Sequence, residues 1–239
     1  MNVDAILFDF GDTLVLVDGF DHNACLKSLH ESLTESGIHV PFKEFRQKYF
    51  EARDQLYEET RGSLREPHFH LRVSRALQKF GYNYLPHDPL IAKASLRFNN
   101  TFLQYMRIEE NTLRILNHLH KRYRLGVVSN MALPAAVTHA LKKFGLAPYF
   151  EVVVISGEVG WRKPSPRIFQ HALNQLKIDA PQVAFVGDSL DTDIQGAKQI
   201  GMKTIWVKRK TANERLVEEI RPDRVVHGLD EILQVLRDC

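Results

Sequence analysis

The sequence has little cysteine, no long apolar run and no block of one charge. Its two cysteines in 239 residues, Cys25 and Cys239, stand far apart and without metal-type spacing. A structural disulfide is therefore not expected, and a reducing compartment suits the chain. No apolar run is long enough to span a bilayer, and no basic, apolar, small-residue leader opens the sequence. The expectation is a cytoplasmic protein with no membrane partner. Lys and Arg number 32 against 29 Asp and Glu, a net charge of +3. Basic clusters such as Lys208-Arg209-Lys210 are short, whereas a nucleic-acid footprint is a denser stripe, so no nucleic-acid partner is expected. There is no internal repeat or low-complexity tract. What the chain does have is apolar residues, 44% of the total, enough for one large domain or two small ones.

An apolar run at residues 3–8 reads as a short buried strand, and Asp9 follows it at once. In an open α/β sheet, ligands bind outside the carboxyl ends of the strands, so Asp9 stands where a reactive group would stand. Residues 15–18 lose regular pattern and read as a linker. From about residue 20 to 107, strand signals nearly vanish. Ala24, Leu26, Leu29 and Leu33 recur at helical steps before Gly37. Three more helices are opened by Pro41, Pro67 and Pro89, and together the four predict a bundle with its own core. From Asn111 onward, helices alternate with strands at 123–129, 152–155, 183–186, 204–207 and 224–226. Helices are expected at 113–122, 134–144, 166–176, 191–200 and 229–236. That alternation predicts a parallel sheet covered on both faces. The first strand has no nearby partner and should join this sheet. The expected fold is α/β, a Rossmann-like parallel sheet with helices on both faces, plus an inserted all-helical domain. The expected boundaries are 1–16 and 108–239 for the α/β core and 17–107 for the insertion.

Three further strand ends carry polar groups: Ser129-Asn130, then Lys163-Pro164 after Gly160, then Asp188 with Asp191 and Asp193. Side by side, the strands would gather Asp9, Ser129, Lys163 and Asp188 at one rim. Crowded carboxylates need a cation, and hard oxygen ligands select Mg²⁺. A hydroxyl, backbone amides and an ammonium can hold the oxygens of a phosphoryl group, while one carboxylate attacks phosphorus.

Phe8-Asp9-Phe10-Gly11-Asp12-Thr13-Leu14, Ser129-Asn130, Lys163-Pro164 and Gly187-Asp188-Ser189 with Asp193 and Gly196-Ala197 resemble, in order, the four signature regions of the haloacid dehalogenase-like hydrolases. The helical block falls where members with a helical cap insert it. The resemblance implies Asp9 as nucleophile and Mg²⁺ ligand, and Asp188 as a second ligand. Ser129 and Lys163 would bind the transferring phosphoryl group, with Asn130 in support. Asp193 would hold metal-bound water or steady Lys163. The cap would cover the site and select the leaving group. One position departs from the pattern. Most phosphatases of this family place an Asp two residues after the nucleophile, as general acid and base, and here Gly11 stands there. Its carbonyl can still bind metal, but the proton-transfer role is lost. Asp12, the next residue, is more simply read as a loop residue bonding local backbone than as a substitute acid.

The expected activity is Mg²⁺-dependent hydrolysis of the phosphate monoester of a small metabolite, through an aspartyl-phosphate. The alternatives are a dehalogenase using Asp9 on carbon, which suits Gly11 but leaves Asp188 and Asp193 without a task, and a weakly active regulatory or binding member of the fold. Other residues have plainer readings. Asp191 is expected as a helix N-cap, and Trp161 and Trp206 as packing residues. His68 and His70 read as a half-exposed pair without metal spacing, and Arg72 and Arg75 as solvated surface.

Overall fold

The computed structural model describes residues 1–209 and 214–237. Lys210 and Cys239, both considered above, lie outside the described residues. Strand β1 (Ala5–Phe8) opens the chain with every residue buried. A tight turn leads to β2 (Leu16–Val17), and helices α1 (His22–Glu35), α2 (Phe42–Glu59), α3 (Phe69–Gln78) and α4 (Pro89–Phe102) follow. Asp21 starts α1 by accepting from the Asn23 and Ala24 amides at 2.8 and 3.2 Å. Asp88 starts α4, with Pro89 in the first turn. β3 (Met106–Arg107) then returns antiparallel to β2. The segment expected to be an irregular linker is thus half of a ribbon marking both crossings into the helical block. Each half is two residues long, too short for an alternation to be read.

The remainder runs α5 (Thr112–Leu119), β4 (Arg124–Ser129), α6 (Pro134–Lys143), β5 (Val152–Ile155), α7 (Ser156–Val159) and α8 (Pro166–Leu176). It continues through β6 (Val183–Gly187), α9 (Gln195–Gln199), β7 (Lys203–Val207), α10 (Glu214–Ile220), β8 (Arg224–Val226) and α11 (Ile232–Arg237). Three elements differ from expectation. The helix expected over 191–200 is a wide π turn, Leu190–Ile194, followed by α9. Ser189, not Asp191, stands before that turn, and Asp191 accepts from the Ser189 hydroxyl at 2.7 Å. The short helices α7 and α10 have no counterpart among the expected ones.

Among the described residues, six parallel strands form one sheet in the order β5-β4-β1-β6-β7-β8. β1 is central, with Phe8 level with both Val127 and Val186. Side chains alternate across it. Ile6 and Phe8 join the core under α5, α6 and α11, while Ala5 and Leu7 join the core under α8 and α9. Helices on both faces explain why β1 and β6 are apolar without interruption. The chain builds β4 and β5 on one side of β1 and β6 to β8 on the other. The strand order therefore reverses beside β1, and a crevice opens there at the carboxyl ends.

The helical cap has a separate core, in which Leu26, Leu29, Leu33, Phe45, Tyr49, Phe69, Leu77 and Phe98 meet. Ala132 and Leu133, from the loop after β4, complete it. A seam also joins the cap to the loop before α8. Arg162 N donates to Leu64 O at 3.0 Å and Glu66 N to Gly160 O at 3.1 Å. The Arg65 guanidinium lies 4.6 Å from the Trp161 ring centre. Among the described residues, no helix is long and apolar enough to cross a membrane.

Candidate functional site

Asp9 leaves β1 with its amide still paired to Val186 O at 2.8 Å. Its position is thus fixed by the β1–β6 register, and it is 7% exposed. Ser129 ends β4, buried beside it. Lys163 arrives from the loop after α7 and is completely surrounded. Its ammonium donates to Asp9 Oδ1 at 2.5 Å, Asp193 Oδ1 at 2.7 Å and the Val128 carbonyl at 2.8 Å. These contacts occupy all three of its protons. Asn130 holds the lysine's backbone on both sides, accepting from Lys163 N at 2.7 Å and donating to Lys163 O at 3.0 Å. The Asn130 amide is therefore committed to positioning the lysine.

Asp188 follows β6. Its carboxylate accepts from the Thr13 hydroxyl at 3.5 Å, and its carbonyl from the Trp206 indole at 2.8 Å. Asp193 curls back on the π turn until its second oxygen accepts from Ser189 N at 3.1 Å. Gly187 makes that approach possible, since a Cβ there would lie 2.5 Å from Asp193 Oδ2. Gly196 does the same for α9, where a Cβ would meet the Phe169 ring at 2.6 Å.

One carboxylate oxygen each from Asp9, Asp188 and Asp193 lies within 4.8 Å of the others. Three carboxylates against one ammonium leave two negative charges in a largely buried space, which is costly without a counter-ion. The titrations reflect this. Burial is the largest cause raising Asp9. Lys163 pulls against it, Asp193 and Asp188 add to it, and the carboxyl ends at about 7. Burial, then Asp193 and Asp12, raise Asp188 to about 6. Burial pulls the Lys163 ammonium down, but Asp193 and Asp9 outweigh it, so its pKa is raised and it stays charged. An all-oxygen donor set with a deficit of two charges fits a hard divalent cation such as Mg²⁺.

A family model described as haloacid dehalogenase-like hydrolase matches residues 3–201. The chain belongs to the haloacid dehalogenase-like hydrolases. It is 28% identical over 243 residues to a glyceraldehyde 3-phosphate phosphatase of Methanopyrus kandleri, covering 99% of this chain and 100% of that one. A protein of the same name from Pyrococcus abyssi is 31% identical, covering 86% of this chain and 82% of that one. Among solved structures, a 2-haloacid dehalogenase from Pseudomonas syringae superposes with a TM-score of 0.70 at 27% identity, covering 98% of each chain.

In this haloacid dehalogenase-like hydrolase, one cavity of about 260 Å³ is lined by Asp9, Gly11, Ser129, Asn130, Lys163 and Asp188. Asp12 and Asp193 line it as well. The residues singled out at four distant places in the sequence are therefore neighbours. Gly11 has open space above it, because a Cβ there would meet nothing within 4 Å. Asp12 adopts φ +54°, and its Oδ1 accepts from Val17 N at 3.4 Å.

Several contributors escaped the sequence reading. Thr13 was inside a quoted motif but carried no periodic signal of its own. The Val128 carbonyl is backbone, which no side-chain pattern reports. Arg209, from the loop after β7, donates to the Asp12 carbonyl at 3.1 Å and to Glu109 at 2.7 Å, clamping the turn after Asp9. Arg72 is a correction. Expected as solvated surface, it is 8% exposed, because α3 turns it into the cap. Arg75 is the half-buried, more accessible member of that pair and binds Glu59 at 2.7 Å.

Proposed function

We propose that this hydrolase removes the phosphoryl group from a small phosphate monoester, with Asp9 as nucleophile. The observation that carries the reading is the convergence of Asp9, Lys163, Asp188 and Asp193 at the carboxyl rim of the sheet. Lys163 binds Oδ1 of Asp9 and leaves Oδ2 for attack on phosphorus. A bond forms from that oxygen to phosphorus, the ester oxygen departs with the organic group, and an aspartyl-phosphate remains. A phosphoryl oxygen would share the Lys163 proton now donated to Asp9, and the Ser129 hydroxyl would hold another. Gly11 offers no acid, so the departing oxygen takes its proton from water. A second water then attacks phosphorus, frees phosphate and restores Asp9. Asp9, Asp188 and the Gly11 carbonyl would hold Mg²⁺, which supplies charge neutralisation for an anion approaching an anion. Asp193 steadies Lys163. Asn130 acts through the lysine's backbone.

The relatives' names support a three-carbon phosphate as the first ester to test. We place the catalytic core at 1–16 and 108–239 and the substrate-selecting cap at 17–107, a division supported by the separate cap core and by the β2–β3 ribbon at the crossings. A reducing cytoplasm suits Cys25, a buried free thiol.

A second reading, displacement of halide from carbon by Asp9, is favoured by the likeness to a 2-haloacid dehalogenase. The deficit of two charges supports phosphate, since displacement at carbon needs no divalent ion. The deciding measurement is phosphate release across sugar phosphates, nucleotides and phosphoacids, with Mg²⁺ or EDTA, beside Asp9→Asn. Release that requires both Mg²⁺ and Asp9 is expected. Release surviving Asp9→Asn, or EDTA-insensitive halide release from a 2-chloro acid, overturns the assignment.

A further inference from the structure

A second cavity, of about 220 Å³, lies between the cap and the loop after β4, walled on the cap side by Phe20, Tyr49, Phe69, Phe98 and Arg72. Asn130 and Met131 line both this cavity and the one at the sheet rim, so the two adjoin. Arg72 crosses the cap cavity between rings, its guanidinium carbon 5.0 Å from the centre of Tyr57 and 5.8 Å from that of Phe69. One end is anchored. Nη2 donates to the Tyr57 hydroxyl at 2.6 Å and lies 3.7 Å from Glu66. Tyr57 donates in turn to Glu66 at 2.8 Å, and Ser156 donates to the other Glu66 oxygen at 3.0 Å.

The other end is less firmly held. Arg72 Nε, Tyr49 Oη and His22 Nε2 are buried without a well-formed hydrogen bond, the Tyr49 hydroxyl and the Arg72 guanidinium stand side by side, and all three residues line this cavity. Buried polar atoms in native proteins are nearly always hydrogen-bonded, and each exception calls for a reason. Three exceptions around one hollow share a reason if a ligand completes them. The field in the hollow is positive. Burial, then Arg53, Arg72 and Arg46, push His22 down to about 4, which keeps it neutral near pH 7. A cationic ligand is repelled by Arg72, which already covers the aromatic faces. A neutral alcohol would accept from the guanidinium but bring no opposing charge. A carboxylate would accept from Arg72 Nε and from the Tyr49 hydroxyl, both bonds charge-assisted and the first also an ion pair.

We propose that the cap cavity receives the end of the substrate remote from phosphorus and selects a carboxylate there, through Arg72 and Tyr49. The substrate class is then a phosphate monoester of a short carboxylic acid. This rests on the phosphatase reading above.

The test uses esters that differ at one carbon: 3-phosphoglycerate, glyceraldehyde 3-phosphate and glycerol 3-phosphate. The acid is expected to have the highest kcat/KM, chiefly through KM. The ratio of acid to alcohol should fall roughly 10–100-fold in Arg72→Gln, the scale of one charge-assisted hydrogen bond. Tyr49→Phe keeps the ring and should lower the same ratio several-fold, so it serves if the Arg72 variant does not fold. Preference for the aldehyde or alcohol, or a ratio that Tyr49→Phe leaves unchanged, overturns the proposal. If none of the three esters is hydrolysed, calorimetric titration with glycerate alone tests the cavity apart from the chemistry. Binding weakened by Tyr49→Phe supports it, and absence of binding overturns it.

Discussion

The cavity at the sheet rim and the cavity under the cap share Asn130 and Met131, yet they balance their polar groups in opposite ways. At the rim, every proton of the Lys163 ammonium has a protein partner, and both Asp193 oxygens are bonded. The imbalance there is one of net charge. In the cap, Glu66 meets Arg72 on one side only, the hollow on the other side stays positive, and the imbalance is chiefly one of hydrogen bonds. On the proposed function, the rim would take an ion and a phosphoryl group of fixed geometry, and the cap, left incomplete, would meet a variable organic group.

The largest effect expected from breaking this contrast concerns the one role that the rim lacks. Gly11→Asp should raise the steady-state rate on a test ester by roughly 10²–10⁴-fold if proton transfer limits turnover. The open space above Gly11 admits the side chain. No gain would mean that another step is slower.

Next is Lys163→Met. It leaves three carboxylates buried together and should cost about 3–5 kcal/mol, measured by urea unfolding in EDTA. A loss under 1 kcal/mol would show that the acids are already protonated when the lysine is present.

The third effect is a pH dependence. Asp9, raised to about 7 in the fold, binds a proton that the unfolded chain has released. Its contribution is complete below the unfolded carboxyl range and is lost as pH rises through 7. His22 and His68, both held near 4, act in the opposite sense as pH rises through their usual range. Between pH 6.5 and 8 the two contributions, each about 1 kcal/mol or less, offset one another in metal-free stability, so the readout is the increment that a divalent ion adds. Mg²⁺ should add more stability at pH 8 than at pH 6.5, and equal increments would contradict the charge deficit.

The smallest effect belongs to the cap. Tyr49→Phe removes a buried hydroxyl that makes no well-formed hydrogen bond, so thermal unfolding should show unchanged stability or a gain of up to about 1 kcal/mol. A clear loss would mean that the hydroxyl is bonded within the protein.

How much could be read in advance follows from what each residue answers to. Asp9, Ser129 and Asp188 end apolar strands, and a strand end is visible as a change from apolar to polar. Their meeting at one rim follows once the strands are taken as parallel. The fold class with its inserted cap was legible for the same reason, since helical and alternating patterns occupy separate stretches. Arg72 was not legible. Its helix carries polar residues on several sides, and only the packing of α3 against α2 decides which of them turns inward. Asp191 lost its expected N-cap place because the chain widens into a π turn, a local geometry that leaves no periodic trace. The β2–β3 ribbon pairs residues 89 or more apart through two positions each, and no local signal marks such a pairing.

The seam between residues 64–66 and 160–162 bears on how a ligand arrives. A cap tethered only by its two connecting segments would swing as a unit while the rim stayed still. Here a third fastening ends one residue before Lys163. Lifting the cap must either unzip those bonds or tug the strip of chain that presents the ammonium. Any opening of the cap to admit a guest would thereby be mechanically geared to the setting of the lysine.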